Sequence, residues 1–278
     1  MTRRNKLTDL FLGMLFFYVL SIFVYAIAVR QNFPDPQKSG LFGDMFGAFN
    51  AFFTGLAFIG VVITLWKQHH TQVETSFFSM LSLLQDIVNS TSFEIKATEN
   101  NRKYTGRAYF KFAFKDFSDR YFSTIIKANP TVFPEGNTMT KEQKQKVFEV
   151  AESLASAPLV CTYEAMYNQH DYNLGHYFRY IFNMIKYIKE SFPENIDQQN
   201  KYIGIMQAQL SNDEMGLIFY NAISKHGKNS EGTDLFRKWL DEHNFFENID
   251  KRCIFHNSFL KFYPNTAVSG LRFAVPEL

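Results

Sequence analysis

The chain has 278 residues, with 29 Lys and Arg set against 27 Asp and Glu, and its formal net charge of +2 gives no global electrostatic case for a nucleic-acid partner. Two cysteines, Cys161 and Cys253, are too few for a disulfide framework and suit a reducing compartment. No Walker loop, no GxGxxG after a strand, no GxSxG, no HxxxH and no CxxC occurs, so no cofactor and no metal is expected.

Two apolar runs without a charge come first, LFLGMLFFYVLSIFVYAIAV (Leu10–Val29) and MFGAFNAFFTGLAFIGVVITLW (Met45–Trp66). Each has about 20 residues, which at a rise of about 1.5 Å per residue crosses a hydrocarbon core of about 30 Å. Lipid tolerates no unpaired backbone, so both runs are expected to be helical. Two other readings compete: a pair of buried core helices, and, for the first run, a cleaved signal peptide behind Arg3, Arg4 and Lys6. The first run is longer than an ordinary signal core, and a second apolar run follows at once. Arg3, Arg4, Lys6 and Lys67 flank the pair, against Arg30 and Lys38 between them. That bias places both termini in the cytoplasm and Gln31–Gly43 outside. The expected architecture is all-α, with a transmembrane hairpin over residues 1–70 and a cytosolic helical domain over 71–278. Gly43, Gly47, Ala51 and Gly55 recur every four residues along one ridge of the second run. Small residues at this spacing let helix backbones approach closely, against the first run or against another copy of the chain.

Beyond Lys67–Thr75, Phe77, Leu81, Leu84 and Val88 form an apolar helical stripe. Glu94–Lys103 reads as a polar connector. An aromatic helix is expected over Arg107–Lys127, with Phe110, Phe114, Phe117, Tyr121 and Ile125 on one face. Basic residues run beside it, and Arg107 and Lys111 are candidate contacts for an anion, RNA or a lipid head group. Asp116 and Asp119 dilute that patch, and an ordinary amphipathic helix explains it as well. Asn129–Asn137 reads as a loop, Thr140-x-x-Gln143 as the cap of a helix that Pro158 ends, and Leu159–Asn168 as a further helix.

In LGHYFRYIFNMIKYI (Leu174–Ile188), apolar residues at 174, 177, 178, 181, 185 and 188 make a core stripe. His176 and Arg179 are neighbours on one helix surface, either an anion-binding pair or part of a buried network. Ser211-x-x-Glu214 is a capping box opening the next helix. Arg237-x5-His243 resembles the Arg…His motif of HEPN-type ribonucleases, in which the arginine would hold a phosphate and the histidine move a proton. The end of an amphipathic helix bearing Phe236, Trp239 and Leu240 also accounts for it. A short helix is expected near Ile249–Tyr263, then an extended tail.

Three blocks taken together, GLFGDMFGAFNAFFTGLAFIGVVITL (Gly40–Leu65), LGHYFRYIFNMIKYI (Leu174–Ile188) and AQLSNDEMGLIFYNAIS (Ala208–Ser224), resemble the phage abortive-infection family of bacterial membrane proteins, the AbiC-like group. They cover about a fifth of the chain and include no catalytic signature. The resemblance implies bacterial antiviral defence at the inner membrane, and carries over no catalytic residue. The role expected from both lines of reading is a membrane effector that senses a phage or host protein, assembles into a homo-oligomer and perturbs the bilayer. The alternatives are a membrane-tethered HEPN-like ribonuclease using Arg237 and His243, and a non-enzymatic scaffold that recruits a partner effector.

Overall fold

The computed structural model describes residues 16, 20, 23–24, 27–28, 31, 36–95, 101–128, 156–229 and 231–266. Most of the first apolar run lies outside them. Phe16, Leu20, Phe23, Val24, Ile27 and Ala28, which are described, are helical and exposed. The second run lies within one helix, α1 (Pro36–Ser90), of 55 residues. Proline suits a first helical turn because its ring presets φ and its missing N–H has no partner there in any case. The helix therefore starts well before Met45, and residues 36–43 are helical, not the loop expected there. Among the described residues this is one helix long and apolar enough to cross a membrane; a two-helix hairpin is not shown.

By its contacts the chain divides into two units, Met1–Gln72 and Val73–Leu278. In the first, Phe52, Phe53, Leu56, Phe58, Ile59, Val61, Val62, Ile63, Leu65 and Trp66 of α1 are all exposed. In the second, Val73, Phe77, Leu81, Leu84 and Val88 are buried in the core, as their helical spacing predicts. Thr91 ends α1 by returning its hydroxyl to the Val88 carbonyl at 2.7 Å.

The connector is a small antiparallel hairpin, a departure from the all-α expectation. Strand β1 (Ser92–Ile95) pairs with β2 (Arg102–Thr105), Ser92 opposite Thr105 and Ile95 opposite Arg102. Phe93 and Tyr104 sit opposite each other, and Tyr104 stacks on Phe112 with ring centroids 4.3 Å apart. Gly106, at φ +57, then turns the chain by donating to the Thr91 carbonyl at 3.0 Å, a backbone conformation that favours glycine.

Helix α2 (Arg107–Ala128) buries Tyr109, Phe110, Ala113, Phe114, Phe117, Tyr121, Phe122 and Ile125, the face the sequence marks as apolar. Helix α3 (Ser156–Ser191) is one continuous run of 36 residues, where two helices were expected. Pro158 lies in its first turn, where no intrahelical donor is lost, so it opens this helix without breaking it. The expected helix from Thr140 lies outside the described residues, as does the tail beyond Thr266. Helix α4 (Ile196–Gln207) is capped by Asn195, whose side chain accepts from the Gln198 N–H at 3.0 Å.

Helix α5 (Asn212–Ile223) is the hub: every residue from Glu214 to Ala222 is buried, and α2, α3, α6 (Leu235–Glu242) and the 3₁₀ turn Lys251–Cys253 pack on it. A helix apolar all round belongs in the interior. Gly216 permits this crowding, since a Cβ there would lie 2.6 Å from the Phe114 ring. Beyond α6 the expected helix resolves into two 3₁₀ turns, Lys251–Cys253 and Asn257–Phe262. Between them Phe255 enters a nest of rings, stacking on Tyr220 at 4.7 Å and Tyr121 at 5.0 Å.

Candidate functional site

The second unit holds a cavity of about 450 Å³ bounded by α3, the end of α5, the 3₁₀ turn Lys225–Gly227 and α6. Gly175, Phe178, Arg179, Phe182 and Asn183 follow one another at spacings of three, one, three and one, the rhythm of a single helix face, and α3 turns that face to the cavity. Tyr167 comes from two turns earlier, Asn221 from α5, His226, Gly227, Lys228 and Asn229 from the turn, and Phe236 from α6. No carboxylate is among these lining residues.

The turn is held firmly. His226 Nε2 lies 3.1 Å from Glu164 Oε1, and Lys225 Nζ lies 2.6 Å from Glu164 Oε2. Burial alone would raise the Glu164 carboxyl, but hydrogen bonds from Lys225 and His226 hold it below the usual carboxylate range. The His226 ring stacks on Tyr167 at 3.9 Å and 21°. Gly227 makes this fit possible, since a Cβ there would lie 2.5 Å from the Asn221 carbonyl and 2.6 Å from Ala222 Cα. The Asn229 side chain shapes the exit of the turn by accepting from the N–H groups of Glu231 and Thr233, at 3.1 and 2.8 Å. Asn221 donates to the Tyr163 hydroxyl at 2.9 Å, and Lys228 Nζ lies 4.0 Å from Asp234 at the rim.

Arg179 differs from its neighbours. Its side chain is exposed and, among the described residues, its guanidinium makes no hydrogen bond or ion pair. Its charge acts on Tyr167, whose hydroxyl is pushed up by burial and pulled back by Arg179. The structure does not join His176 to it in a site: His176 is exposed and outside the cavity lining, and neither residue enters the buried network that the spacing also allowed.

The other predicted residues take separate places. Arg107 donates to the Gln209 carbonyl at 2.7 Å and lies 3.8 Å from Glu214, on the wall of a second cavity of about 330 Å³. Lys111 is exposed on the next turn and does not line that cavity; its charge faces Asp213, whose carboxyl burial raises. Arg237 donates to the Phe262 carbonyl at 2.7 Å and to Asp234 at 3.2 Å. His243 faces Asn200 at 2.7 Å and Lys189 at 3.3 Å, and burial with the Lys189 charge lowers its pKa. Arg237 and His243 thus have different partners, and neither lines either cavity. Gly43, Gly47, Ala51 and Gly55 all lie on α1, and no described atom comes within 4 Å of a Cβ built at Gly47 or Gly55. Among the described residues no group of three or more His, Cys, Asp or Glu could hold a metal.

Sequence reasoning missed His226, Lys228 and Glu164. The cluster Lys225-His226-Gly227-Lys228 was a usable signal, whereas Glu164 lies some sixty residues upstream and gave none.

Residues 169–254 match the family described as "Putative phage abortive infection protein". The matched segment spans most of α3 and all of α4, α5 and α6, and holds every residue named above as lining the cavity of about 450 Å³ except Tyr167. Two of the three blocks behind the AbiC-like resemblance, Leu174–Ile188 and Ala208–Ser224, fall inside it and support that resemblance. Neither a curated protein nor a solved structure matches the chain.

Proposed function

We propose that the chain is an antiphage effector of the abortive-infection type, anchored in the bacterial inner membrane by its N-terminal apolar helices with both termini in the cytoplasm. On sensing infection it assembles through the ridge Gly43, Gly47, Ala51 and Gly55, and the assembled helices perturb the bilayer. The family match supports a role in antiphage defence.

The observation that carries the membrane reading is the exposure of α1. A core helix of a soluble protein would be covered, yet the most apolar 18-residue stretch of this helix buries nothing, and Phe58 and Trp66 are 68% and 66% exposed. So much uncovered apolar surface is unfavourable in water at about 25 cal/mol per Å² and is relieved in lipid. The ridge supports assembly because, among the described residues, nothing lies within 4 Å of a Cβ built at Gly47 or Gly55, and small residues at this spacing offer a groove to another helix.

The test expresses the full chain in a host challenged with phage. The protein should sediment with membranes and resist high-salt extraction, and crosslinked oligomers should accompany protection. Gly47→Leu and Gly55→Leu should abolish both. Full protection by a variant that gives no crosslinks rejects the assembly mechanism, and a chain that stays in the supernatant without detergent rejects the membrane reading.

A further inference from the structure

We propose that the cavity between α3 and the Lys225–Gly227 turn binds a small organic anion carrying a planar ring, of the nucleoside 5′-monophosphate class. Its biological role as an infection cue rests on the defence reading above, but the binding itself does not.

Three features select this chemistry. The charged side chains that line the cavity are both cationic, Arg179 and Lys228. Of the carboxylates nearby, Glu164 is held by Lys225 and His226, and Asp234 lies at the rim 4.0 Å from Lys228, which leaves Arg179 as the lining cation without a bonded partner among the described residues. Such a site favours an anion over an amine, whose ammonium would find no carboxylate in the lining. Arg179 offers a planar fork of donors suited to a phosphate, and among the described residues nothing engages it. The second feature is aromatic. Tyr167, Phe178, Phe182, His226 and Phe236 all line the cavity, an aromatic wall suited to a planar ring, although Tyr167 and His226 stack on each other at 3.9 Å and Phe182 stacks on Trp239 at 5.3 Å. Third, Asn183 Oδ1 and Asn229 Nδ2 supply polar atoms at the cavity for the edge of such a ring, while Asn183 Nδ2 donates to the Arg179 carbonyl and Asn229 Oδ1 accepts within its own turn. The volume of about 450 Å³ falls within the range of roughly 300–1,000 Å³ usual for small-molecule sites.

The experiment uses the full chain reconstituted in nanodiscs, in buffer without divalent metal. Binding of the adenosine, guanosine, cytidine and uridine 5′-monophosphates is measured by calorimetry, with the free nucleosides and inorganic phosphate as probes of each half. At least one monophosphate should bind with a dissociation constant below about 1 mM, and its nucleoside and inorganic phosphate at least tenfold more weakly. Arg179→Gln, at an exposed side chain without a bonded partner among the described residues, should keep the parent melting temperature, weaken the monophosphate at least tenfold and leave the nucleoside unchanged. Absence of monophosphate binding overturns the proposal, as does binding that Arg179→Gln does not alter. Inorganic phosphate binding as tightly as the monophosphate overturns the ring half. Protection against phage is not read in this assay, so failure of binding leaves the membrane reading standing, and loss of protection in the Gly47 and Gly55 variants leaves the pocket standing.

Discussion

Glu214 joins three parts of the domain, and replacing it shows how the hub helix is fixed. Its side chain is 1% exposed. Oε2 accepts from the Ser211 N–H at 2.9 Å and the Ser211 hydroxyl at 2.6 Å, and Oε1 accepts from the Tyr177 hydroxyl at 3.0 Å. Glu214→Ala removes the carboxylate half of the capping box, worth about 1 kcal/mol. It also strands the buried Tyr177 hydroxyl, at about 1–3 kcal/mol. The neighbouring Arg107 is 60% exposed at 3.8 Å and adds little. The total is about 2–4 kcal/mol, or a fall in melting temperature of roughly 4–16 °C for a unit of this size. Glu214→Gln keeps one acceptor for Ser211 and turns its amide toward the Tyr177 oxygen, which can accept, so it should cost about 1 kcal/mol. Tyr177→Phe should cost about 1 kcal/mol in the parent but recover part of the loss in the Glu214→Ala background, where it removes the stranded hydroxyl. The parent and the four variants are compared by thermal unfolding of the full chain in one detergent. A Glu214→Ala loss below about 0.5 kcal/mol, or additive effects of the two substitutions, would refute the account.

Cys253 is buried, and its thiol is pushed up to about 12 by desolvation and then by Asp213 and Asp250, whereas Cys161 is exposed. A maleimide at neutral pH should therefore label one thiol per folded chain and two in denaturant, and Cys161→Ser should leave the folded chain unlabelled. Glu164 has its carboxyl depressed on folding, so its stabilisation is present above the unfolded value of about 4.3 and is lost as pH falls through the folded value. Glu164→Gln should cost about 0.5–1 kcal/mol at pH 7, since the side chain is a fifth exposed, and the gap in melting temperature should close as the medium is acidified below about pH 4; a gap undiminished there contradicts the assignment.

The helical stripes were legible because burial on one face repeats every three or four residues, as in Phe77, Leu81, Leu84 and Val88 and again from Leu174 to Ile188. The capping box at Ser211 and Glu214 was legible because it is a local exchange of two bonds. The burial of α5 on all sides was not. The neighbours that crowd Gly216 come from α2 and the Lys251–Cys253 turn, at distances along the chain that no local pattern encodes. The hairpin at Ser92–Thr105 escaped for a different reason. Its strands have four residues each, and Glu94, Arg102 and Lys103 give them the polarity of a connector, while Phe93 and Tyr104 find their aromatic partner only in Phe112 of the next helix.

The candidate site shows why spacing alone is a weak guide to chemistry. Arg237 and His243 are at a spacing that resembles a nuclease motif, but the bonds each makes lie on separate surfaces: Arg237 ties α6 to the Phe262 carbonyl, and His243 ties its end to Asn200 of α4. His176 and Arg179 are neighbours on their helix, yet one faces solvent and the other a cavity. Spacing within one element fixes which residues share a face; it is silent on whether other elements have already used their hydrogen-bonding capacity. A cation is available to a ligand only when no partner satisfies it and a cavity lies in front of it. Arg179 meets both conditions among the described residues, Arg107 is bonded to Gln209, and Arg237 is bonded to Phe262 and Asp234. The binding assay therefore turns on Arg179, with Arg107 and Arg237 as cations whose replacement should move stability more than affinity.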